Sequence, residues 1–371
     1  QLLTDLTFFL AGRGVNVKVF TSRQKYDNPC SELPARESVN GVEICRIWTT
    51  RFGRQHLLGR AIDYMSFYLS AFAWLIIDVR AGDIVVAKTD PPLISVLAAI
   101  VIRVRGASLV NWVQDLFPEV ATALEVRIPP SLVSFVMWMR NWSLRIARYN
   151  VVLGERMAAM LQANGVPPSK IAIIPNWSSE CIIPVRMAEN RLRDCWNLQD
   201  KFVVGYSGNM GRAHEFDTIL DAAQLLLHDR HIVFLFIGGG GLTNTLFKPY
   251  QPRENLALSI GVADVHLISL LPALEGLIVP SKFYGIAAAG RPTIFIGDAD
   301  GEIPGILNKV GCGEVVAIGA ADRLQFIIRS YSKRGESFVG MGRRAREVFE
   351  RRFSTERALE KWADLLVAKG I

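Results

Sequence analysis

The chain has 371 residues, of which 50% are hydrophobic and 21% are charged, and its net charge is +7. This composition excludes a disordered chain, and the length suits two domains of about 150–200 residues each. The uncharged apolar run from Tyr64 to Ile77 is shorter than the about 20 residues of a membrane-spanning helix, so the sequence predicts no spanning segment. Five scattered cysteines without a C-x-x-C pair indicate reduced thiols, and no histidines are spaced as metal ligands.

The first half alternates short β-branched runs with helical segments. Strands are predicted at residues 15–20, 83–88, 107–113, 149–154 and 171–177, and helices near 56–80, 93–104 and 131–147. This alternation is typical of parallel βαβ units in a doubly wound sheet. Because the chain starts with a helical pattern, we expect that an opening strand and its loop precede Gln1.

The second half repeats the pattern, with strands predicted at residues 202–208, 232–241, 265–269, 293–297 and 313–318. We therefore predict two Rossmann-like domains, residues 1–178 and 179–352, and a helix within residues 353–371 that crosses back to the first domain. The run FIGGGG (236–241) lacks the spacing of a dinucleotide loop and is predicted to be a turn. Ligands bind beyond the carboxyl ends of such strands, so the cleft between the two sheets is the expected site.

The stretch VPSKFYGIAAAGRP (279–292) predicts a short helix with a phosphate site at its start. Ser281 is expected to cap the first turn, and Gly290 and Pro292 are expected to end the helix. The helix N-terminus carries partial positive charge and Lys282 lies beside it, so both favour an anion there.

The stretch YSGNMGRAHEFDTIL (206–220) has a strand that ends in glycines. Because glycine has no side chain, the backbone at Gly208 and Asn209 can approach a diphosphate, and Arg212 can add a bidentate contact. The alternative is that Gly208 and Gly211 only serve a tight turn.

Two acidic motifs remain. In VNWVQDLFPE (110–119), Gln114, Asp115 and Glu119 follow a strand end, where a carboxylate can act as acid, base or acceptor of a sugar hydroxyl; the alternative is helix capping by Asp115. The D-x-D of residues 298–300 could chelate a divalent ion, but its position after a late strand favours a polar loop, so no metal site is predicted.

The segment of residues 129–150 is aromatic and basic, with Trp138, Trp142, Arg140, Arg145 and Arg148. Such a helix can lie at a membrane interface, or it can be an ordinary helix packed on the sheet. Residues 1–175 hold 19 Lys and Arg against 13 Asp and Glu, which favours an anionic membrane partner. Nucleic acid is not expected as a partner, because no lysine-rich run or RNA-binding motif is present.

Together these motifs resemble the retaining glycosyltransferases of family 4, which have the GT-B fold, and in particular the colanic-acid and O-antigen type of bacterial surface-polysaccharide pathways. The resemblance covers essentially the whole chain. It is carried by LLTDLTFFLAGRGVNVKVFTS, VQDLFPE, SKIAIIPNW, YSGNMGRAHEFDTIL and, most specifically, PALEGLIVPSKFYGIAAAGRPTIFIGDADGEI.

The resemblance implies metal-independent transfer of a hexose from a nucleotide diphosphate-sugar, with anomeric retention and without a separate cofactor. The second domain would hold the donor and the first a lipid-linked or saccharide acceptor, at the cytoplasmic face of the inner membrane. Lys282 and Arg212 would stabilise the charge of the leaving diphosphate.

The sequence departs from the family pattern of two glutamates eight positions apart. The ribose position falls on Gly285, and Glu275 could be the sugar-side carboxylate only with two residues inserted. We therefore hypothesise that Glu302 supplies the ribose contact. The usual Arg and Lys of the diphosphate loop fall on Asn209 and His214.

These departures leave two alternatives open. One is a nucleotide-sugar 2-epimerase on the same fold. The other is a non-catalytic partner protein that has kept the fold and lost the chemistry.

Overall fold

The structure is a computed structural model that describes residues 1–24, 33–52, 57–238 and 246–368. The strands of the first half are β1 (Val17–Ser22), β2 (Arg36–Val39), β3 (Val42–Ile47), β4 (Ile84–Lys88), β5 (Ser108–Trp112), β6 (Tyr149–Val152) and β7 (Ile171–Ile173). Its helices are α1 (Leu2–Gly12), α2 (Leu57–Asp78), α3 (Ile94–Arg105), α4 (Glu119–Ala123), α5 (Pro130–Ile146) and α6 (Glu155–Ala163).

Parallel pairing dominates the first half. Strands β4, β5, β6 and β7 form a four-stranded sheet in that order, and a second sheet has the order β1-β3-β2. Strand β2 pairs antiparallel with β3, and this hairpin was missed in the sequence. Each strand predicted in the first half is present, because buried parallel strands are short runs of β-branched and apolar residues.

The second half contains strands β8 (Phe202–Ser207), β9 (Ile232–Ile237), β10 (Leu246–Lys248), β11 (Val265–Ser269), β12 (Thr293–Ile296) and β13 (Gly313–Val316). Its helices are α7 (Arg191–Cys195), α8 (Asp217–Leu225), α9 (Leu256–Gly261), α10 (Lys282–Ala288), α11 (Glu302–Val310), α12 (Ala321–Ser332), α13 (Glu336–Val348) and α14 (Thr355–Ala363). The glycines at 239–241, predicted to form a turn, lie outside the described residues.

The six strands of the second half form one parallel sheet with the order β10-β9-β8-β11-β12-β13. This is the doubly wound order in which the chain starts in the middle, winds to one edge and returns to wind to the other. The order reverses between β8 and β11, and the crevice at such a switch point is where these sheets bind ligands. The prediction of doubly wound α/β halves is confirmed.

The two halves share a buried apolar cluster. Leu116 and Met157 from the first half pack in it with Leu274 and Leu277 from the second. The backbone also joins them, because the amide of Leu116 donates to the carbonyl oxygen of Leu277 at 3.0 Å. The carboxyl ends of β5 and β11 are therefore held on facing sides of one cleft.

Helix α14 packs against the first half of the chain. Trp362 lies against Trp112 at 4.8 Å between ring centroids, and Trp112 stacks on Trp177 at 5.8 Å. The chain thus passes between the halves twice, and the two passages touch where Thr355 Oγ1 donates to the carbonyl oxygen of Ser178 at 2.8 Å.

Helix α2 is apolar over most of its 22 residues. Its segment Ala61–Asp78 has a mean hydropathy of 1.2, so among the described helices α2 alone is long and apolar enough to cross a membrane. The count of uncharged residues did not indicate this, because Asp63 and Asp78 bound that run. One side of α2 packs on α3, with Leu75 and Val101 buried together.

Candidate active site

The loops at the switch point approach each other closely. Gly208 follows β8 with φ of +126°, a conformation that L side chains rarely adopt, and a side chain there would collide with Lys282. Gly238 follows β9 at φ of +150°, and a side chain there would collide with the carbonyl of Gly208. Glycine is therefore required at both strand ends for the backbone to line the crevice.

Lys282 is the cation of this crevice. Its Nζ donates to the Tyr206 hydroxyl and, at 3.3 Å, to the carbonyl oxygen of Asn209, and it lies 3.9 Å from the centre of the Tyr206 ring. Among the ion pairs of the described residues, none involves Lys282. Burial lowers the pKa of Lys282 from 10.5 to about 8. The site thus holds a desolvated ammonium group that is not neutralised by a carboxylate of the described residues, which favours an anionic ligand.

Tyr206 was missed in the sequence, where it appeared only as the last apolar residue of β8. Its ring packs in the core of the second half, and its hydroxyl donates to the carbonyl oxygen of Asn209 at 3.1 Å. Because that hydroxyl also accepts from Lys282, the tyrosine fixes the direction of the lysine side chain. The main chain of Asn209 thus takes part in the site as an acceptor.

His214 supplies no positive charge. Its Nδ1 donates to the carbonyl oxygen of Ser269 at 2.5 Å. Burial, and then the charge of Lys282, lower the pKa of His214, so the ring is neutral near pH 7. At this position of the loop the chain has a neutral hydrogen-bonding group instead of the usual cation.

Two further hydroxyl groups lie at the strand ends. The Oγ atoms of Ser207, at the end of β8, and Ser269, at the end of β11, are buried and have no hydrogen-bond partner among the described residues. Both flank the switch point and can donate to a ligand there. Only the position after a strand could have identified them, because serine alone is a weak signal.

The predicted capping by Ser281 is wrong. Helix α10 begins at Lys282 and has seven residues, and the side chain of Ser281 makes no capping hydrogen bond. Ser281 already has helical φ and ψ of −64° and −18°, whereas a capping serine adopts an extended conformation. The helix ends as expected before Gly290, which is left-handed at φ of +64°.

Arg212 lies across the cleft from where it was expected. Its side chain is exposed, and Nη2 donates to the carbonyl oxygen of Leu124 in the first half at 2.7 Å. In this arrangement Arg212 joins the two halves.

Glu275 and Glu302 lie together at the mouth of the cleft. One carboxylate oxygen of Glu275 accepts from the amide of Glu302 at 3.3 Å, and burial is the largest cause of its raised pKa. Glu302 in turn accepts from the amide of Arg156 in α6 at 3.1 Å. Gly154 and Gly301 leave space for these carboxylates, because a side chain on either would overlap them. The proposed ribose contact is thus tied to the first half, while Gly285 packs against Ile260.

Asp115 lies at the same edge of the cleft. It forms a backbone bridge with Ile278, which is itself bridged to Glu275. Burial raises the pKa of Asp115, and its Oδ1 has no hydrogen-bond partner among the described residues. Asp115 of the first half and Glu275 of the second half are therefore brought together through Ile278. Lys282 is not part of these contacts.

The D-x-D motif forms a turn. The amide of Asp300 donates to Asp298 Oδ1 at 3.0 Å, and Asp300 pairs with Arg156 at 3.4 Å. Within the described part of the chain, no three His, Cys, Asp or Glu residues are grouped so that they could hold a metal ion.

Helix α5 has an exposed aromatic side, but its charges are divided. Phe135 and Trp138 are 53% and 61% exposed and stack on each other at 6.1 Å. Arg140, which was counted among the basic residues of this segment, is not at the surface: it is 6% exposed and pairs with Glu119 at 2.5 Å. Arg145 is exposed, as a membrane-facing cation requires.

Comparison with known proteins agrees with this geometry. Residues 5–177 match the glycosyl transferase 4-like domain. The chain is 28% identical to the probable glycosyltransferase WbjE of Pseudomonas aeruginosa over 63% of its own length and 62% of WbjE. It is 27% identical to the putative colanic acid biosynthesis glycosyl transferase WcaI of Escherichia coli K12 over 45% of its length and 47% of WcaI. The alignments thus span less than two thirds of either relative.

Solved structures show the same architecture across nearly the whole chain. Sucrose-phosphate synthase from Thermosynechococcus elongatus superposes with a TM-score of 0.76 at 16% identity, covering 98% of this chain and 91% of that one. Anabaena HepE in complex with UDP and glucose superposes with a TM-score of 0.69 at 13% identity, covering 98% and 94%. The chain therefore has the GT-B fold of two Rossmann-like domains, and its residues 5–177 are similar to a glycosyl transferase 4-like domain.

Proposed function

We propose that this protein is a glycosyltransferase that moves a hexose-type sugar from a nucleotide diphosphate-sugar to a lipid-linked saccharide, with retention at the anomeric carbon. The observation that carries the proposal is Lys282, a partly buried ammonium group at the switch point of the second sheet, which forms no ion pair with the described residues. A diphosphate is the group that such a cation, two glycine-lined strand ends and free serine hydroxyls suit best.

The chemistry follows from where charge develops. As the bond between the sugar and the diphosphate breaks, negative charge grows on the leaving phosphate. Lys282, whose side chain is oriented by its hydrogen bond to Tyr206, stabilises that charge in a partly buried site. We infer that this fixed cation replaces a metal ion and that no separate cofactor is needed. The structure of HepE in complex with UDP-glucose supports a nucleotide-sugar as the donor.

On the acceptor side, Asp115 and Glu275 offer carboxylates to sugar hydroxyls. Their raised pKa values, caused by burial, suit groups that hold or exchange a proton near a hydroxyl. We infer that Asp115 faces the acceptor and Glu275 the transferred sugar, because they come from the first and second halves respectively.

The exposed apolar side chains of the first half support an acceptor that lies at a membrane. Helix α2 exposes Leu58, Met65 and Leu69, and α5 exposes Phe135 and Trp138. Apolar helix faces with nearby cations bind the surface of anionic bilayers. We infer that the protein is peripheral at the cytoplasmic face of the inner membrane, in the synthesis of a surface polysaccharide such as colanic acid or O-antigen.

Thermal unfolding with UDP, GDP, dTDP and their sugars tests the donor site. A ligand that binds only the folded state raises the melting temperature by mass action. At a ligand concentration of a hundred times Kd, the free energy of unfolding increases by about 2.7 kcal/mol. We expect one nucleotide to raise the melting temperature selectively. We also expect the corresponding nucleotide-sugar to be cleaved, with release of the nucleotide, when a membrane extract that contains the acceptor is added. The absence of a shift with every nucleotide would refute the proposal.

A non-catalytic partner protein is the second candidate. It is favoured by Gly285, which offers no carboxylate to a ribose, and by Glu302, whose carboxylate is already bound to the amide of Arg156. Selective nucleotide binding without release of nucleotide from any donor sugar would support this candidate over an enzyme.

A further inference from the structure

A narrow pocket in the first half is surrounded by buried polar atoms that have no partners. It lies between the carboxyl ends of β4 and β5 and helix α5, and has a volume of about 360 Å³, part of which is open to solvent. Three atoms of its lining residues are buried without a hydrogen bond to the described residues: Asn111 Oδ1, Asp115 Oδ1 and Arg140 Nη1.

These side chains are held in place by their other atoms. Asn111 is 1% exposed, and its Nδ2 donates to Asn150 Oδ1 at 2.8 Å. Arg140 is 6% exposed; its Nη2 donates to Glu119 and its Nε to Asn141 Oδ1 at 2.8 Å. Since both side chains are fixed, one polar atom of each is left for another molecule. Buried polar atoms in folded proteins are nearly always satisfied, so the pocket favours an occupant.

The unpartnered atoms define the chemistry of that occupant. Two of them, on Asn111 and Asp115, accept hydrogen bonds, and one, on Arg140, donates. A hydroxyl group can accept from Arg140 and donate to one of the two acceptors, so it satisfies two of the three atoms. A phosphate or carboxylate has no hydrogen for the two acceptors, and Glu119 already neutralises the charge of Arg140. The enclosed part of the pocket is water-sized, so it fits a single hydroxyl or hydroxymethyl group and not a sugar ring.

The pocket also adjoins the cleft, because Asp115 lines it and is bridged to Ile278 of the second half. We propose that it is a specificity pocket for the acceptor, which takes one exocyclic hydroxyl or hydroxymethyl group of a neutral sugar. This inference rests on the proposed function, since it names the acceptor class of the same cleft. It predicts that one position of the acceptor sugar is recognised strictly, while the others are tolerated.

The test uses octyl glycosides of glucose, galactose, mannose and N-acetylglucosamine, each with its set of singly deoxygenated forms. Binding to the unaltered protein is measured by saturation-transfer NMR titration. For a glycoside that binds, we expect removal of one particular hydroxyl to weaken binding about tenfold or more, because it leaves buried polar atoms unsatisfied. Equal binding of all deoxygenated forms, or no binding by any glycoside, would overturn the proposal.

Two variants separate a filled pocket from a lost hydrogen bond. Ser95 lines the pocket and shares a hydrogen bond of 3.0 Å with Ser143, which does not line it. Ser95→Leu removes that bond and fills the pocket. Ser143→Ala removes it without filling the pocket, together with the hydrogen bond of 2.9 Å that Ser143 Oγ donates to the carbonyl oxygen of Arg140. We expect glycoside binding to fall at least tenfold in the first and to persist in the second. Glycoside binding unchanged in Ser95→Leu would show that the pocket holds only ordered water.

The nucleotide measurement distinguishes the two failures. A nucleotide-induced rise in melting temperature in the Ser95→Leu protein shows that it is folded and that its donor site is intact. If no nucleotide binds the unaltered protein but one hydroxyl is still required strictly, the proposed function fails and the sugar pocket stands. If nucleotide binds and no hydroxyl is required, the pocket assignment fails alone.

Discussion

Replacing Lys282 with methionine should stabilise the ligand-free protein while weakening nucleotide binding. Methionine has about the length of lysine without its charge. Lowering the pKa of a lysine from 10.5 to about 8 on folding means that the charged lysine destabilises the folded state by about 3 kcal/mol. Methionine also loses the hydrogen bond to Tyr206, which reduces the gain in stability by about 1 kcal/mol. We therefore expect Lys282→Met to raise the free energy of unfolding by about 2 kcal/mol at pH 7.

The pH dependence of this difference identifies its cause. The pKa is lower in the folded state, so the unfolded chain binds more protons and the stability of the unaltered protein rises with pH between about 8 and 10.5. The advantage of Lys282→Met should therefore be complete below pH 8 and should vanish as the pH approaches 10.5. Thermal unfolding followed by circular dichroism measures it, and about 2 kcal/mol corresponds to about 4–8 °C for a domain of this size.

Nucleotide binding should change in the opposite direction. Loss of a charge-assisted contact to the diphosphate should weaken affinity about 10- to 100-fold. Lys309→Met is the matched control, because Lys309 is exposed on α11 and should alter neither stability nor affinity by more than about 0.5 kcal/mol. A ligand-free Lys282→Met protein that is less stable than the unaltered one at pH 7 would refute the view of Lys282 as a desolvated cation that awaits an anion.

Four other changes test neighbouring parts of the mechanism. Tyr206→Phe, which keeps the ring, should lower nucleotide affinity about fivefold in the thermal-shift assay, and unchanged affinity would show that Lys282 needs no positioning. Arg212→Ala should reduce turnover about 10- to 1000-fold, and full activity would leave Arg212 as only a contact between the halves. Affinity for the nucleotide should fall by up to about tenfold per pH unit above pH 8, as Lys282 loses its proton; a flat profile to pH 10 would contradict this. Changing Trp138 and Arg145 together to Ser and Gln should reduce co-sedimentation with anionic vesicles, and unchanged co-sedimentation would count against membrane contact through α5.

The sheets and the glycine-lined crevice could be predicted because their signals are local. Runs of β-branched residues identify buried parallel strands, and glycines directly after a strand indicate backbone that approaches a ligand. Lys282 was recognised for the same reason, since its position just before an alanine-rich helix is visible in the sequence. The hairpin of β2 and β3 was also within reach, because Asn40 and Gly41 join them with φ of +50° and +79°, the typical two-residue turn.

Long-range contacts account for the errors. Glu302 meets the amide of Arg156, which lies 146 positions earlier in the chain, so no sequence pattern indicates that this carboxylate is already bound. Arg140 lies on an aromatic and basic helix for which the sequence left both membrane contact and packing on the sheet open, and its buried partner Glu119 lies 21 positions earlier. In both cases the partner is set by how elements pack and not by spacing along the chain.

The two passages of chain between the halves also define how the cleft can move. Ser178 and Ser354 lie side by side as a backbone bridge, and Thr355 bonds across them. Two chain connections that lie side by side form a hinge between the halves. Such a hinge resists sliding and twisting of the halves but allows them to rotate about the line through the two connections. Opening of the cleft would then be confined to a single swing, so its two sides would return to the same alignment each time the cleft closes. Thr355→Val would loosen this axis without touching any side chain of the site.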